Sequence, residues 1–297
     1  MATVEAPLVD PPRVAGARLR RGRAVRRLLR SPLAVTGLVV LCVAVLAALL
    51  APLLAPYGPS DAHFDARFDP PGSPGYLLGT DSLGRDIFSR ILFGLRASLL
   101  VGVLSVLLAL VVGVPLGLIA GYFSKLDGVI SRLTDLVLAF PFLILAVGLA
   151  AIRGASLSNA ALAIGIAQVP GIIRVTRSET LRLKSLDYVA AAVAEGASDL
   201  WVLARHIFPN ATSVLIVQAT VAIPAAILGE AVLSFLGLGI QPPSPSLGTM
   251  LSEAQQAISR APWTAVIPGL AIMVVTLAFN LFGDGLRDAL DPRASRR

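Results

Sequence analysis

Six apolar runs, separated by shorter polar segments, divide the 297-residue chain. They cover residues 33–56, 98–123, 133–152, 160–175, 211–237 and 264–282. Most are near or above the roughly 20 residues that a helix needs to cross about 30 Å of hydrocarbon. Backbone N–H and C=O groups in lipid must be satisfied within the segment, so the runs predict helices. The expected fold class is an all-α integral membrane protein with six transmembrane helices. The first run corresponds to about 36 Å of helix, enough to span with some tilt. In the second, Gly113, Gly117 and Gly121 recur every four residues and share one helix face, which suits close approach of a neighbouring helix and not lipid. Pro115 would loosen the backbone beside them, as a hinge or, in the reading the pattern favours, as a structural kink.

The polar segments carry their own patterns. Residues 57–97 begin rich in Pro, Gly and Asp and end in an amphipathic stretch. There Asp86 and Arg90 have the order of an i,i+4 pair, and Ile87, Ile91 and Leu92 form an apolar stripe, which predicts a surface-lying helix ahead of the second span. Lys125, Asp127 and Arg132 mark a short loop before the third run, and Asp135 is expected to pair with Arg132. In the polar island 188–210, the Ala-rich stretch 188–195 should be helical, Gly196 should break it, and a second short helix over 199–208 should stop at Pro209. Val189, Ala192, Val193, Leu200 and Leu203 give this helix-Gly-helix step an apolar side suited to another protein's groove. The segment 240–263 is Pro-rich at first and then helical over 247–258.

Composition agrees with a membrane protein: 56% hydrophobic and 14% charged, with a mean hydropathy of +0.80, outside the soluble range. The net charge of +7 would suit nucleic acid, but the basic residues flank apolar runs, so lipid is the expected partner and nucleic acid is not. Residues 1–32 form a basic arm, with eight Arg against Glu5 and Asp10. The apolar run after it is too long for a cleaved signal peptide. Of the 25 Lys and Arg, 19 fall on the arm's side of an alternating six-span topology and six on the other. That bias puts both termini and residues 188–210 in the cytoplasm.

Catalytic and metal patterns do not emerge. The single cysteine, Cys42, lies in an apolar run, without a partner for a disulfide or metal pair. Lys125 and Lys184 follow Ser124 and Leu183, not the Gly of a phosphate-binding loop. His63 and His206 fall on opposite sides of the membrane, and His206 reads as a packing or docking residue. The chain is expected to be non-catalytic, with no metal or cofactor of its own. Glu230 is the one acid deep in an apolar run and is a candidate functional residue on that ground. Asn280, Asp284, Arg287, Asp288 and Asp291 gather at the inner boundary of the last run, where they are expected to cap the helix and tie it to the inner loops.

Residues 188–210 resemble the Glu-Ala-Ala loop of permease subunits in ABC importers. Ala191, Ala192, Gly196 and Pro209 match, whereas Ala190 and Val193 stand where that loop has Glu and often Arg. Glu195 does not replace the acid, because five residues along a helix turn it about 140° away from Ala190. Leu78-Gly79-Thr80-Asp81, Gly84-Arg85-Asp86 and Ser89-Arg90 look like the signature of dipeptide, oligopeptide and nickel permeases. Gly229-Glu230-Ala231 with the adjoining 233–243, and the terminal segment around Asn280, Asp284 and Arg287, resemble the same group. The likeness runs from Leu33 almost to the end.

The resemblance implies a type I ABC importer permease fold in a prokaryotic plasma (inner) membrane: a cytoplasmic arm (1–32), a first span (33–56), an extracytoplasmic loop with an interfacial helix (57–97), a core permease domain (98–284) with a cytoplasmic coupling loop (176–210), and a tail (285–297). It implies half of a pore, completed by a second homologous permease. One or two ATP-binding subunits would hold the ATP and Mg, and an extracytoplasmic solute-binding protein would deliver substrate. Di- or oligopeptides are the implied substrates, with nickel chelates or another small solute as the alternative. The implied ATPase-coupling residues are Tyr188, Ala190, Ala191, Ala192, Gly196, Asp199, Leu200, Leu203, His206 and Pro209. Gly79, Asp81, Gly84, Arg85, Asp86 and Arg90 are signature residues, and for Glu230 a pairing or gate role is favoured over direct substrate contact. An ion-coupled secondary transporter would need charges near the midplane, where Glu230 stands alone and no inverted repeat accompanies it. A membrane scaffold without transport gives no reason for the helix-Gly-helix step.

Overall fold

The computed structural model describes residues 25–290; most of the basic arm, Asp291 and the rest of the tail lie outside the described residues. In chain order the helices are α1 (Pro32–Leu49), α2 (Ile87–Tyr122), α3 (Ser124–Ala139), α4 (Phe142–Arg153), α5 (Leu157–Lys184), α6 (Asp187–Ala194), α7 (Asp199–Val202), α8 (Phe208–Phe235), α9 (Leu247–Ala254) and α10 (Trp263–Leu290), with a separate helical turn at Ala51–Leu54. Among the described residues, five helices are long and apolar enough to cross a membrane (α1, α2, α5, α8 together with α7, and α10), and the bent pair α3–α4 makes a sixth if it counts as one span. The protein is thus an all-α membrane protein of five or six spans. Local chemistry sets the ends: Ser31 accepts from the Ala34 N–H at the start of α1, and Pro32 occupies the first turn, where its missing N–H costs nothing.

Four expectations change in detail. The stretch expected as a surface-lying helix is the first part of the 36-residue α2. Its Ile87, Ser89, Arg90 and Leu92 are all buried, so protein surrounds it, and nothing between 96 and 98 breaks the helix. The Asp86–Arg90 pair does not form, because Asp86 serves as N-cap: its Oδ2 accepts from the Ser89 N–H at 2.8 Å and the Ser89 hydroxyl at 2.6 Å. The third run is not one straight helix. Pro141 drives Phe140 to extended geometry (φ −93°, ψ 124°), and α3 and α4 meet at 81°. At 12 residues, α4 rises only about 18 Å, short of the bilayer. Asp135 meets Arg174 of α5 at 2.8 Å, not Arg132, because α3 lies against α5.

The central seam joins α2 to α5. A Cβ built on Gly113 would lie 2.8 Å from the Ile172 Cβ, on Gly117 2.5 Å from the Thr176 Cβ, and on Gly121 2.6 Å from the Thr180 Cβ. The facing threonines turn their hydroxyls to carbonyls one turn back, Thr176 to Ile172 at 2.7 Å and Thr180 to Thr176 at 2.8 Å. The threonines then turn Cβ and methyl groups to the glycines, beside the Ile173 and Arg177 carbonyls, and their own hydroxyls are satisfied within α5. At the other side α10 closes on α1, where a Cβ on Gly37 would meet the Ala278 carbonyl oxygen at 2.7 Å.

At one end of the bundle, here the Asp81 end, charges are buried in a four-residue network. Gly84 sits at φ +76°, which permits the turn that brings Asp81 to Arg85. Asp81 Oδ1 accepts from the backbone N–H groups of Leu83 at 2.8 Å and Arg85 at 3.0 Å. Its Oδ2 accepts from Arg85 Nε at 2.7 Å and from Arg90 Nη1. Glu253 of α9 accepts from Arg85 Nη2 at 2.6 Å and Arg90 Nη1 at 2.7 Å. Arg90 is 2% exposed. Two buried guanidiniums would each cost several kcal/mol unpaired, and the two carboxylates offset that charge. Trp263 Nε1 donates to the Thr80 carbonyl at 3.3 Å. The 78–86 loop, α2, α9 and the start of α10 are thereby joined.

In Gly117→Ala the new methyl has no room against Thr176, and overpacking should cost roughly 1–3 kcal/mol. Gly128→Ala on α3 meets nothing within 4 Å and should be neutral or stabilising, by about 0.5–1 kcal/mol. Thermal unfolding in detergent reads both, and an equal shift for the two would refute the seam. Asp81→Ala strips both arginines of one carboxylate and should cost roughly 3–5 kcal/mol. Asp65→Ala on the exposed surface of the same loop is expected to leave the midpoint unchanged.

Candidate functional site

At the opposite end, here the Gly196 end, α5 continues as helix to Lys184. The first nine residues of the expected 176–210 loop therefore belong to a span, and the connection proper is 185–207. Helix α6 closes with Gly196 at φ +87°, a conformation that favours glycine, while the Ala197 N–H donates to the Ala192 carbonyl and the Gly196 N–H to that of Val193, both at 3.0 Å. Helix α7 comes next and passes through a π turn, Leu203–Ile207, straight into α8. Pro209 therefore does not stop a helix but occupies the first turn of α8. Phe208 N donates to the Leu203 carbonyl five residues back, and this wider turn accommodates a residue that has no N–H and a ring next to the preceding turn.

The apolar side expected for docking divides in two. Val189 and Leu203 are buried, with Val202 and Ile207, in one cluster with Tyr122, Ile172 and Leu183 of the chain's own spans, and Ala192 is buried as well. Val193 and Leu200 face outward. Leu200 is 76% exposed and Trp201 49%, and Tyr188, Ala190, Ala191 and Gly196 are at least partly exposed as well. The element's inner stripe is used in holding it to the bundle, so its outward face is narrower and more aromatic than the pattern predicts. The His206 ring lies 4.8 Å from that of Trp201 and 5.9 Å from that of Tyr188. Its Nε2 is buried and has no hydrogen-bond partner among the described residues. Trp201 escapes the apolar pattern of the segment, although an aromatic residue in a polar island is a signal that points to it.

Polar contacts fasten this element to the spans. The Tyr122 hydroxyl, at the end of α2, donates to Asp199 Oδ1 at 2.9 Å. Lys184 Nζ donates to the Tyr122 carbonyl at 2.7 Å and lies 4.8 Å above the Tyr122 ring. Arg177 of α5 grips Asp127 of α3 with two hydrogen bonds, 2.5 and 2.7 Å.

Glu230 is wholly buried within the last two turns of α8, toward the Asp81 end. Ser98 of α2 donates to its Oε2 at 2.6 Å and Ser234 to its Oε1 at 2.7 Å, while Ser234 Oγ accepts from the Ile240 N–H at 3.0 Å. The start of α9 closes over this point, stabilised by a Ser246–Thr249 capping box. A Cβ on Gly94 of α2 would lie 3.2 Å from the Leu247 N. Helices α2 and α8 meet at this carboxylate through hydroxyl donors, and no ion pair to it is present among the described residues. Asn280, Asp284, Arg287 and Asp288 are exposed along α10, which stays helical to Leu290. Among the described residues none of the four makes an ion pair or a side-chain hydrogen bond, so the expected tie to the inner loops is not seen there. Gly79 and Gly84 shape the loop that delivers Asp81. Among the described residues no group of three or more His, Cys, Asp or Glu is placed to hold a metal ion.

Residues 113–296 match the family model described as binding-protein-dependent transport system inner membrane component, and residues 20–71 match the N-terminal TM domain of oligopeptide transport permease C. A dipeptide transport system permease protein of Alkalihalophilus pseudofirmus is 45% identical over 271 residues, covering 91% of this chain and 89% of the relative. A glutathione transport system permease protein of Pectobacterium atrosepticum is 44% identical over 270 residues, 90% of this chain and 89% of the relative. Among solved structures, an inward-facing MetNI methionine ABC transporter chain superposes with a TM-score of 0.59 at 18% identity, over 68% of this chain and 96% of that one, which is a likeness of fold. The chain therefore belongs to the family of binding-protein-dependent transport system inner membrane components, among the C-type permease subunits of dipeptide and oligopeptide ABC importers.

Proposed function

We propose that this chain forms half of the translocation pore of an ATP-driven importer for di- or oligopeptides, in a prokaryotic plasma membrane with both termini in the cytoplasm. A second homologous permease completes the pore, an extracytoplasmic binding protein delivers substrate, and one or two ATPase subunits dock at the Gly196 end. The observation that carries this reading is the α6-Gly196-α7 element. It presents Tyr188, Val193, Leu200 and Trp201 outward while its inner stripe and the Tyr122–Asp199 hydrogen bond bind it to the spans. The dipeptide and glutathione permease proteins among the relatives support the substrate class.

The mechanism rests on that attachment. Closure of the ATPases moves α6 and α7. Because α7 runs through the π turn into α8, and Asp199 and Lys184 hold the end of α2, the displacement tilts α2, α5 and α8 together and shifts access from one side to the other. With Ala190 in place of an acid, docking depends on apolar and aromatic packing more than on charge. Leu200 and Trp201 are then the anchors, the kind of buried contact that commonly dominates an interface.

Tagging the full chain, extracting it in mild detergent and identifying the proteins that stay bound tests the assembly: a second permease and ATPases are expected. In the Leu200→Asp and Trp201→Asp variants ATPase recovery should fall by an amount equivalent to about 2–4 kcal/mol, with the second permease still bound and thermal unfolding unchanged. Leu203→Asp, at a buried position, should instead lower the unfolding midpoint. Full ATPase recovery with both surface variants would overturn this docking face.

A further inference from the structure

The exposed faces of the spans differ in chemistry. On α10, Val266, Leu270, Met273, Val274 and Leu277 form an apolar stripe, and α1 shows Val39, Val43 and Leu46 in the same way, as faces that meet lipid should. Helix α5 is the least apolar of the five long spans and the most buried. Its exposed face toward the Gly196 end is Gly171, Arg174, Ser178, Leu181 and Arg182, at spacings of three and four that place them on one side. Leu181 is its one exposed large hydrophobic residue. Such a stripe is costly against hydrocarbon and inexpensive against water, and ionisable groups inside a span mark aqueous paths for that reason.

Two ion pairs link α3 to α5 beside this stripe, and they are built differently. Asp127–Arg177 is bidentate and partly buried, 27% and 36% exposed, and holds the helices together. Asp135–Arg174 makes a single hydrogen bond of 2.8 Å with side chains 67% and 60% exposed. A solvated single-bond pair is worth only about 0–1 kcal/mol and opens readily. Opening it exposes a carboxylate and a guanidinium side by side, the complement of a free ammonium and a free carboxylate. Asp135 stands on α3, the helix that ends at the Phe140–Pro141 bend, and interrupted helices in transporters characteristically border the substrate path.

We propose that the Gly171, Arg174 and Ser178 face of α5 is a wall of the aqueous passage, and that Asp135 and Arg174 hold the ammonium and carboxylate termini of a short peptide in transit. The second part rests on the peptide-import reading above; the first does not.

The test uses the full complex in proteoliposomes, with Cys42→Ser as background. A membrane-impermeant trimethylammonium methanethiosulfonate should modify Ser178→Cys in the resting state and leave Met273→Cys on the lipid-facing stripe of α10 unmodified. If the two behave alike, or if Ser178→Cys is inert, the passage wall is overturned. In the double variant Asp135→Asn, Arg174→Gln, which keeps a hydrogen-bonding group at each position but removes both charges, dipeptide uptake should fall about tenfold, the equivalent of losing a charge-assisted hydrogen bond. Co-purification of the second permease and the ATPases should be unchanged. Full uptake by this variant would overturn the peptide-terminus role. A wild-type complex that takes up no dipeptide while Ser178→Cys still reacts would overturn the peptide reading and keep the passage wall.

Discussion

The close approach of α2 and α5 along Gly113, Gly117 and Gly121 is the contact on which the remaining arrangement depends. Lipid supplies no hydrophobic force between helices, so a tight seam must come from shape and from having no unsatisfied polar group to strand. Three glycines opposite Ile172, Thr176 and Thr180 meet both conditions. With α5 fixed to α2, the chain leaving α5 at Lys184 emerges beside Tyr122, and the α6-α7 element has a place to lie. At 36 residues, α2 is about 54 Å long. It runs from the buried charges at Asp81 to the hydrogen bond at Asp199, and both ends of the bundle take their position from this one helix.

Much of this was legible in the sequence, for physical reasons that can be named. Apolar runs mark spans because lipid leaves the backbone no alternative to the helix. A glycine every fourth residue marks a seam because no other residue allows that approach. The features that escaped depended on which partner a group would choose. Asp86 had Arg90 one turn ahead and Ser89 three residues ahead, and the N-cap took it. Asp135 had Arg132 on its own helix, yet pairs with Arg174 on another. The stripe of Val189, Ala192 and Leu203 was recognisable as apolar, but periodicity is silent on whether such a stripe meets the same chain or a different one. At Pro209, local propensity argued for a stop, and the turn before it changed hydrogen-bond spacing instead.

Buried charge is handled in opposite ways at two sites toward the Asp81 end. Around Asp81 two arginines and two carboxylates cancel within a few ångströms, which fixes three segments at little net cost in charge. At Glu230 the carboxylate meets hydroxyls in place of a cation. The Asp81 cluster therefore resists separation of its parts and pins α9 at Glu253, whereas Glu230 is held by hydroxyl donors that can rotate away.

The π turn at Leu203–Ile207 has a consequence beyond accommodating Pro209. One additional residue in a helical turn rotates everything before it by about 100° relative to the helix beyond it. The compass heading of Leu200 and Trp201 with respect to α8 is thus encoded in chain length and not in side-chain identity. A lineage could exchange most residues of this segment and keep the same bearing, but a single deletion between 203 and 207 would swing the outward face to a new bearing with every amino acid on that face intact.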